Sequence, residues 1–342
     1  MLLANTGVAT HVTLGIDLIT QRMDNFGPEL ITVVMPCYNA TPYMGEAIES
    51  VLGQSYPHIE LIVVDDGSTD GSTEILQRLA TEHPARITLI YQNRVGPFVA
   101  RNQALAHANG NYIAFLDADD TWHPDALSLM HDALKIEQAD VAYCGWQYIG
   151  VAATDTQPQF PRLLDAGEAV GYFLENGPWP INNALIRRHL IDDLRGFSER
   201  APTAMDYDLW LRMLTRHPKL VRVPEVLAFY RRYPRGDAHI PHWRQVFDAV
   251  AVRHDFVRHH PERVNGINPT RLNELIYGPL LSEAYRSHWR GDTESARRLF
   301  RRAFRKSDWK AGDLKHLVAS LLPALLYQNL VNLVTRRRTI HN

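Results

Sequence analysis

Three aspartates follow one strongly apolar run in the first half of the chain. The segment is YIAFLDADDTW, and its acids are Asp117, Asp119 and Asp120. Three carboxylates this close together repel one another unless a cation lies among them. Mg²⁺ and Mn²⁺ prefer oxygen ligands, and proteins often supply one or two carboxylates while substrate phosphates complete the shell. The segment therefore indicates a divalent-metal site. The alternative is a solvated acidic loop that caps the next helix through Asp120 or Thr121.

A second acidic segment, IVVDDGSTDGS, places Asp65 and Asp66 at the end of another apolar run. Neighbouring side chains of a strand point to opposite faces, so one acid can face the sheet while the other faces a ligand crevice. A carboxylate there suits recognition of a base N–H or a ribose hydroxyl. The alternative is a turn with local hydrogen bonds, because Asp-Gly-Ser is common turn chemistry.

Two further segments accompany the acids. VVMPCYNA ends a strand-like run with Pro36, Tyr38 and Asn39, and it equally fits an ordinary strand-to-helix turn. GPFVARNQAL predicts a helix that carries Arg101 toward the acidic crevice. There Arg101 contacts a ligand or holds the aspartates in place, and both interpretations put it near the site.

The segment MDYDLWLRM places Asp206 and Asp208 in the first turn of a predicted helix. Acids are favoured there by the helix dipole. The functional alternative makes one of them a general base that removes a proton from an acceptor hydroxyl. The spacing leaves both interpretations open.

Strand-like apolar runs alternate with helical patterns from residue 30 to about residue 235. The predicted strands are Ile31–Met35, Leu61–Val64, Ile87–Tyr91, Tyr112–Leu116, Val141–Cys144, Asn183–Arg187 and Val226–Tyr230. This alternation predicts an α/β fold with a mainly parallel sheet, which binds ligands at the carboxyl ends of its strands. The acidic segments follow these strands, where such a sheet places its site.

The rest of the chain divides into three regions. Residues 1–29 form an N-terminal extension, 150–180 a loop-rich insert, and 236–342 an all-helical C-terminal region. An apolar stripe runs through Leu317, Val318, Leu321, Leu322 and Leu325, with Arg336–Arg338 beyond it. We expect the stripe to pack on the protein; the alternative is an interfacial helix on an anionic membrane surface.

Bulk composition excludes some classes of protein. The 342 residues carry a formal net charge of -2, which argues against a nucleic-acid binder. The two cysteines, Cys37 and Cys144, lie in apolar runs and are expected to be reduced thiols. We find neither a signal peptide in the first 29 residues nor an uninterrupted apolar run long enough to span a bilayer. We expect a cytoplasmic location. The alternative is peripheral contact with the inner face of the membrane.

The segments PCYNA, VVDDGSTDGS, ARNQAL, FLDADD and DYDLWLR occur in this order. Together they resemble glycosyltransferase family 2 over residues 31 to about 233. The resemblance implies the GT-A fold, a Rossmann-like mixed sheet flanked by helices. Its nucleotide-binding half would span about 30–120 and its acceptor half about 121–235.

The resemblance also assigns roles to individual residues. Asp66 would contact the base, Asp117 and Asp119 match the Asp-x-Asp motif, and Asp119 would bind Mn²⁺ or Mg²⁺ with Asp117 beside it. Asp206 matches the catalytic base, although Met205 replaces the glutamate that usually precedes it. The expected nucleotide-sugar-binding residues are Pro36, Tyr38, Asn39, Asp65, Asp66, Arg101, Asp117, Ala118 and Asp119. Outside any motif, Trp179, Asn182 and Asn183 are candidate acceptor contacts.

The expected activity is transfer of a sugar, with inversion, from a nucleotide diphosphate to a hydroxyl of a glycan or lipid-linked acceptor. UDP is the expected nucleotide. One alternative is a catalytically inactive sugar-nucleotide-binding or scaffold protein, which the loss of the glutamate before Asp206 favours and the retained acids disfavour. A nucleotidyltransferase is the other, but PCYNA stands where a glycine-rich basic phosphate loop is expected.

Overall fold

The computed structural model describes residues 29–150, 156–232 and 240–329. These residues contain eight strands in one mixed sheet. They are β1 (Ile31–Cys37), β2 (Ile59–Asp65), β3 (Ile87–Tyr91), β4 (Tyr112–Phe115), β5 (Thr121–Trp122), β6 (Val141–Ile149), β7 (Ala184–Arg187) and β8 (Leu220–Arg231). All seven predicted strands are present, while the short β5 was not predicted and β6 and β8 are longer than expected.

The strand order is β3-β2-β1-β4-β7-β6-β8-β5. The first four strands are parallel, and β7 pairs antiparallel with both β4 and β6. In the register of β1 and β2, Cys37 lies opposite Asp65, so the two strands end level. On the other side of β1, Phe115 at the end of β4 lies opposite Val34. The segments after β1, β2 and β4 therefore emerge at one edge of the sheet.

Helices cover the sheet and form the C-terminal region. Those whose ends both fall within the described residues are α1 (Met44–Leu52), α2 (Ser72–Glu82), α3 (Pro97–His107), α4 (Ala126–Glu137), α5 (Ala166–Asn176), α6 (Arg188–Leu194), α7 (Met205–Leu214), α8 (His242–His259), α9 (Pro269–Trp289), α10 (Thr293–Lys306) and α11 (Leu314–Ala319). Residues 324–329 are also helical, and a 3₁₀ turn spans Ile181–Asn183.

Alternating side chains of the strands divide the core into two layers. Val33 belongs to the layer covered by α1 and α4, whereas Val34 belongs to the layer covered by α3, α5 and α7. The first layer buries one face of α1, as the spacing of its apolar residues predicts. Both faces of the parallel half are thus sealed, and the exposed strand ends are left for a ligand.

The C-terminal helices pack partly on the helices that cover the sheet and partly on one another. Val252 and Phe256 of α8 lie in the same core layer as α7. A separate cluster joins α8 to α11 and also buries Leu317 and Tyr327. Among the described residues, no helix is both long enough and apolar enough to span a membrane.

The expected packing of the apolar stripe holds for Leu317 and is wrong for the other four residues. Val318, Leu321, Leu322 and Leu325 are 52%, 49%, 37% and 80% exposed. The helix stops at Ala319, and another helical segment begins after Pro323, so the stripe does not lie on one continuous helical face. The Arg336–Arg338 cluster lies outside the described residues, as does the predicted boundary between residues 235 and 236.

Candidate active site

The loops after β1 and β2 hold each other in place. Asn39 adopts a positive φ of 50°, a conformation that asparagine tolerates better than most residues. Its side-chain oxygen accepts a hydrogen bond from the Thr69 N–H at 2.8 Å. Asp65 accepts hydrogen bonds from the Ser68 N–H at 3.0 Å and the Thr73 hydroxyl at 2.5 Å. Both Asp65 oxygens therefore serve the loop, as the turn interpretation predicts.

The carboxylate of the neighbouring Asp66 does not bond to this loop but to the segment that follows β3. It accepts hydrogen bonds from the Gln92 side chain and from the Val95 and Gly96 N–H groups at 2.7, 2.8 and 2.9 Å. This anchor helps to hold the nearby Arg94, whose guanidinium lies 4.3 Å from the centre of the Tyr38 ring. A planar cation and an aromatic ring thus stand together at the strand ends.

A cavity of about 870 Å³ opens between these loops, and we call it the donor cavity after the nucleotide-sugar contacts expected of its lining. Eight of the nine expected nucleotide-sugar-binding residues line it, and Asp65 does not. The lining includes Pro36, Tyr38, Asn39, Asp66, Arg94, Gly96, Arg101, Asp117, Ala118, Asp119 and Met205.

Arg101 is the buried cation of the site. Its side chain is 2% exposed, with Nη2 lying 2.5 Å from Oδ1 of Asp117 and Nη1 lying 3.8 Å from Oδ1 of Asp206. Nη1 also lies 3.2 Å from the sulfur of Met205. Burial alone would lower the pKa of Arg101, but the charges of Asp117 and Asp206 outweigh it and raise that pKa. The guanidinium therefore stays charged and holds the two acids near each other.

The two acids of α7 have different surroundings. Asp208 forms an ion pair with Arg212 at 2.6 Å, and Arg212 also donates to the carbonyls of Leu194 and Gly196. Asp206 has a buried Oδ1 with no hydrogen-bond partner among the described residues. Burial raises the pKa of Asp206, Arg101 partly offsets this, and Asp117 raises it further. Asp208 is thus structural, whereas Asp206 makes no hydrogen bond through Oδ1, which lies 3.8 Å from Nη1 of Arg101.

Asp120 is separated from the other two acids of its segment. It is buried and accepts hydrogen bonds from the Asn182 side chain and the Arg231 N–H, both at 2.7 Å. Burial, with the charges of Asp119 and Asp117, raises the pKa of Asp120 well above its usual value. It ties the acidic loop to the segments that carry Asn182 and Arg231. It does not cap the next helix, which begins at Ala126.

The remaining acids of the segment, Asp117 and Asp119, line the donor cavity together. Among the described residues, no group of three His, Cys, Asp or Glu side chains is arranged to hold a metal ion. Two carboxylates fit an ion that takes its other ligands from phosphates and water, as Mg²⁺ often does. The backbone carbonyl of Asp119 accepts a hydrogen bond from Nε of Arg231 at 2.8 Å, which fixes the loop.

The α6–α7 connection is held by one side chain of α3. Asn102 donates to the Phe197 carbonyl and accepts from the Phe197 N–H, each at 2.8 Å. Gly196 has a φ of +70°, and a Cβ there would lie 2.4 Å from Oδ1 of Asn102. This clamp supports the segment that leads into Met205 and Asp206.

A second cavity of about 370 Å³ adjoins the first, and we call it the acceptor cavity. Asp117 lines both cavities, while Met205 lines the donor cavity and its neighbour Asp206 lines the acceptor cavity. Of the three candidate acceptor contacts, Trp179 and Asn182 are in the lining and Asn183 is not. Asn183 instead donates to the Cys144 carbonyl at 2.9 Å.

Several residues of the two cavities were not assigned from the sequence. Arg94 sits in a loop with no recognisable pattern, and Trp146 lies where β6 continues beyond its apolar run. Tyr230 and Arg232 stand in the segment YRRY at the end of β8. Their positions become clear only once β8 is paired with β6.

Comparisons with known proteins identify the family and the fold of the chain. The profile of glycosyl transferase family 2 matches residues 32–195. A glycosyltransferase assigned to teichuronic acid biosynthesis in Bacillus subtilis is 34% identical over 212 residues, covering 61% of this chain and 81% of that protein. Some other relatives are longer, and the chain spans about a third of their length.

Two solved structures share the fold. One is Staphylococcus aureus TarS 1–349 in complex with UDP-GlcNAc, with a TM-score of 0.58 and 16% identity over 85% of this chain and 79% of that chain. The other is a mannosyltransferase from Pyrobaculum calidifontis in complex with GDP-Man and Mn²⁺. Its TM-score is 0.55, with 20% identity over 94% of this chain and 93% of that chain. At these identities the likeness establishes the fold alone.

The matched family profile contains the acidic segments after β2 and β4, and the Bacillus relative extends the match over most of its own length. The chain belongs to glycosyltransferase family 2, and it is a glycosyltransferase with the GT-A fold.

Proposed function

We propose that the protein transfers a sugar from a UDP-sugar to a hydroxyl group of a glycan or lipid-linked acceptor, with inversion at the anomeric carbon. The observation that carries this proposal is the position of Asp206. It lies at the junction of the two cavities, its side chain is 33% exposed, and its Oδ1, 3.8 Å from Nη1 of Arg101, has no hydrogen-bond partner among the described residues. A base at such a junction reaches an acceptor hydroxyl in one cavity while the donor occupies the other.

The chemistry is a single displacement. Asp206 removes the proton from the acceptor hydroxyl, and that oxygen attacks the anomeric carbon from the face opposite the diphosphate. The carbon passes through an oxocarbenium-like state of the kind known from glycoside hydrolysis, and one displacement inverts its configuration. A raised pKa makes Asp206 a stronger base than an exposed aspartate, and general-base catalysis contributes about 10²–10⁴-fold.

The donor cavity supplies the nucleotide contacts. Tyr38 and Arg94 offer flat surfaces for the base, and Pro36 and Asn39 frame it. Asp66 fixes the loop that carries Arg94, and its own position in the lining allows a base contact. Asp119, with Asp117, would hold Mn²⁺ or Mg²⁺ together with the diphosphate. When bound, such an ion stabilises the charge of the departing diphosphate. Arg101 holds Asp117 in place through their ion pair.

The acceptor half supplies the second substrate site. Trp179 and Asn182 line the acceptor cavity and are proposed acceptor contacts, whereas Asn183 serves the backbone of β6. The proposed division of the chain is a catalytic region at residues 30–235 and a helical region at 236–342. Val252 and Phe256 attach the second region to the first.

The test replaces Asp206 with asparagine and compares it with Asp208→Asn on the same helix. We expect Asp206→Asn to lose transfer by at least about 10²-fold while binding UDP as tightly as the wild type, because only the base is removed. Asp208→Asn should keep transfer, since its carboxylate serves Arg212. Release of UDP from a panel of UDP-sugars, with and without glycan acceptors, measures both. Wild-type transfer by Asp206→Asn would overturn the proposed base.

We also propose a peripheral contact with anionic membrane lipid through the C-terminal helices. The exposed apolar residues Leu314, Val318, Leu321, Leu322, Leu325 and Leu326 form what we call the apolar patch. Arg297 and Arg301 of α10 donate to the carbonyls of Leu322 and Leu321 at 3.4 Å, so basic side chains border it. Apolar side chains beside arginines are typical of interfacial membrane contacts.

Sedimentation with phosphatidylcholine vesicles, with and without phosphatidylglycerol, tests this contact. The wild type should sediment with the anionic vesicles, and Leu325→Glu should not. Ile136→Glu is the matched control, because Ile136 is 78% exposed on α4, away from the apolar patch. Absence of the wild type from the anionic pellet would overturn the proposed contact.

A further inference from the structure

Four aromatic side chains line the acceptor cavity, and strand pairing fixes two of them. Trp146, Tyr148, Trp179 and Tyr230 all belong to the lining. Tyr148 of β6 and Tyr230 of β8 are direct partners across the two strands, with ring centres 5.9 Å apart at an interplanar angle of 87°. Trp179 is held by stacking on Tyr143 at 4.0 Å. Contacts with neighbouring rings therefore orient Tyr148, Tyr230 and Trp179 in this wall.

Polar atoms in this wall lack partners. Among the described residues, Nε1 of Trp146, Nε1 of Trp179 and Oδ1 of Asn182 have no hydrogen-bond partner. In a native protein such buried groups call for an explanation, since nearly all are paired. Two donors and one acceptor set among aromatic rings match a ligand that has both apolar faces and hydroxyl groups. A pyranose ring has both.

One cation stands at the rim of the cavity. Arg232 is exposed and lies over the ring of Tyr148 at 3.7 Å. Its neighbour Arg231 is fully engaged, pairing with Glu46 at 2.6 Å and with the Asp119 carbonyl. No carboxylate in the described part of the chain forms an ion pair with Arg232. Its guanidinium is therefore oriented by Tyr148 and available to an anion, which arginine binds in bidentate fashion.

We propose that the acceptor cavity binds one sugar residue of the acceptor against its aromatic wall, and that Arg232 binds an anionic substituent of that acceptor, a phosphate or a carboxylate. This inference rests on the proposed function, because Asp206 must face the acceptor hydroxyl. It adds the chemical class of the substrate: an anionic glycan or a sugar linked through phosphate. A volume of about 370 Å³ falls within the usual range for small-ligand sites.

The test uses saturation-transfer NMR on the full chain, with UDP kept saturating so that the donor cavity is filled. The probes are methyl glucoside, glucuronate and glucose 1-phosphate, with the matching galactose set. We expect at least one anionic probe to bind about tenfold tighter than its neutral counterpart, the order expected of charge-assisted hydrogen bonds. Arg232→Gln should remove that difference and Arg232→Lys should keep most of it. Trp146→Ala should weaken every probe.

The two anionic probes distinguish the sources of the charge, since a phosphate preference indicates a phosphate-linked acceptor and a carboxylate preference a uronic acid. The inference is overturned if Arg232→Gln binds the anionic probes as the wild type does, if neutral probes bind equally well, or if no probe binds. Calorimetric titration of the same samples with UDP separates the two proposals. If the wild type does not bind UDP, the proposed function is overturned. If it binds UDP and the probe experiment fails, only the proposed acceptor class is overturned.

Discussion

Replacement of Arg101 by methionine removes the one cation that the structure buries between Asp117 and Asp206. The guanidinium is 2% exposed and lies 2.5 Å from Asp117 and 3.8 Å from Asp206. Methionine keeps much of the packing because its side chain is long and adaptable. Removing one partner of a buried ion pair costs about 3–5 kcal/mol, since the other charge is left uncompensated. The two acids are 35% and 33% exposed, so water offsets part of this loss. We therefore expect a loss near the lower bound, about 3 kcal/mol.

Thermal unfolding followed by tryptophan fluorescence measures this loss, and a double-mutant cycle identifies its origin. At about 2 °C per kcal/mol for a large chain, the Tm should fall by roughly 6 °C. Adding Asp117→Asn should then cost less than it does in the wild type, with a coupling energy of about 0.5–3 kcal/mol. Arg101→Lys should lose less than Arg101→Met. An unchanged Tm for Arg101→Met, or strict additivity with Asp117→Asn, would refute the assignment of Arg101 as the charge that stabilises these acids.

Three further predictions concern the supporting loops and the base. Gly196→Ala should lower stability by about 1–3 kcal/mol, because φ is +70° and the new Cβ would meet Asn102; an unchanged unfolding midpoint would contradict this. Asp66→Ala should weaken UDP binding in calorimetry about tenfold or more, because its hydrogen bonds to residues 92–96 are lost. Asp65→Ala should mainly lower the Tm. Equal effects of the two variants on UDP affinity would contradict the separate roles of the two acids. The ionised form of Asp206 is the base, and the pKa of Asp206 is raised. As the pH is lowered, the transfer rate should therefore begin to fall at a pH above about 3.9, the usual pKa of an aspartate. Arg101→Met should shift this fall in the transfer rate to a still higher pH, since Arg101 lowers the pKa of Asp206. An unshifted pH profile would contradict this.

The sequence predicted the sheet and the edge that carries the site, because strand length and hydrophobic alternation are local properties. The level ends of β1 and β2 follow from parallel pairing, so Asp66 and Tyr38 could be expected near each other. Side-chain alternation predicted that Asp65 and Asp66 face opposite sides of the sheet, but it could not predict which of the two faces the cavity. That choice depends on the partners each carboxylate finds in distant loops, such as Val95 and Gly96.

Tertiary packing decided the features that sequence patterns left open or missed. Asp206 and Asp208 are equivalent in the helix pattern, and only the contacts with Arg101 and Arg212 distinguish them. Asp120 belongs to the same acidic segment as Asp119, yet its carboxylate is buried and accepts a hydrogen bond from Asn182 of the 3₁₀ turn. The exposure of the apolar patch could not be predicted either, because burial depends on which neighbouring surface is available.

The central claim is that the donor cavity binds a nucleotide diphosphate with the help of a divalent ion held by Asp119. Calorimetric titration of the purified protein with UDP, with and without Mn²⁺, tests it most directly. Asp119→Ala is the informative variant, and Asp132→Ala, whose side chain is 70% exposed on α4, is the control. The account predicts Mn²⁺-dependent UDP binding that Asp119→Ala loses and Asp132→Ala retains. Absence of binding with UDP, GDP and dTDP alike would contradict it and favour a catalytically inactive scaffold.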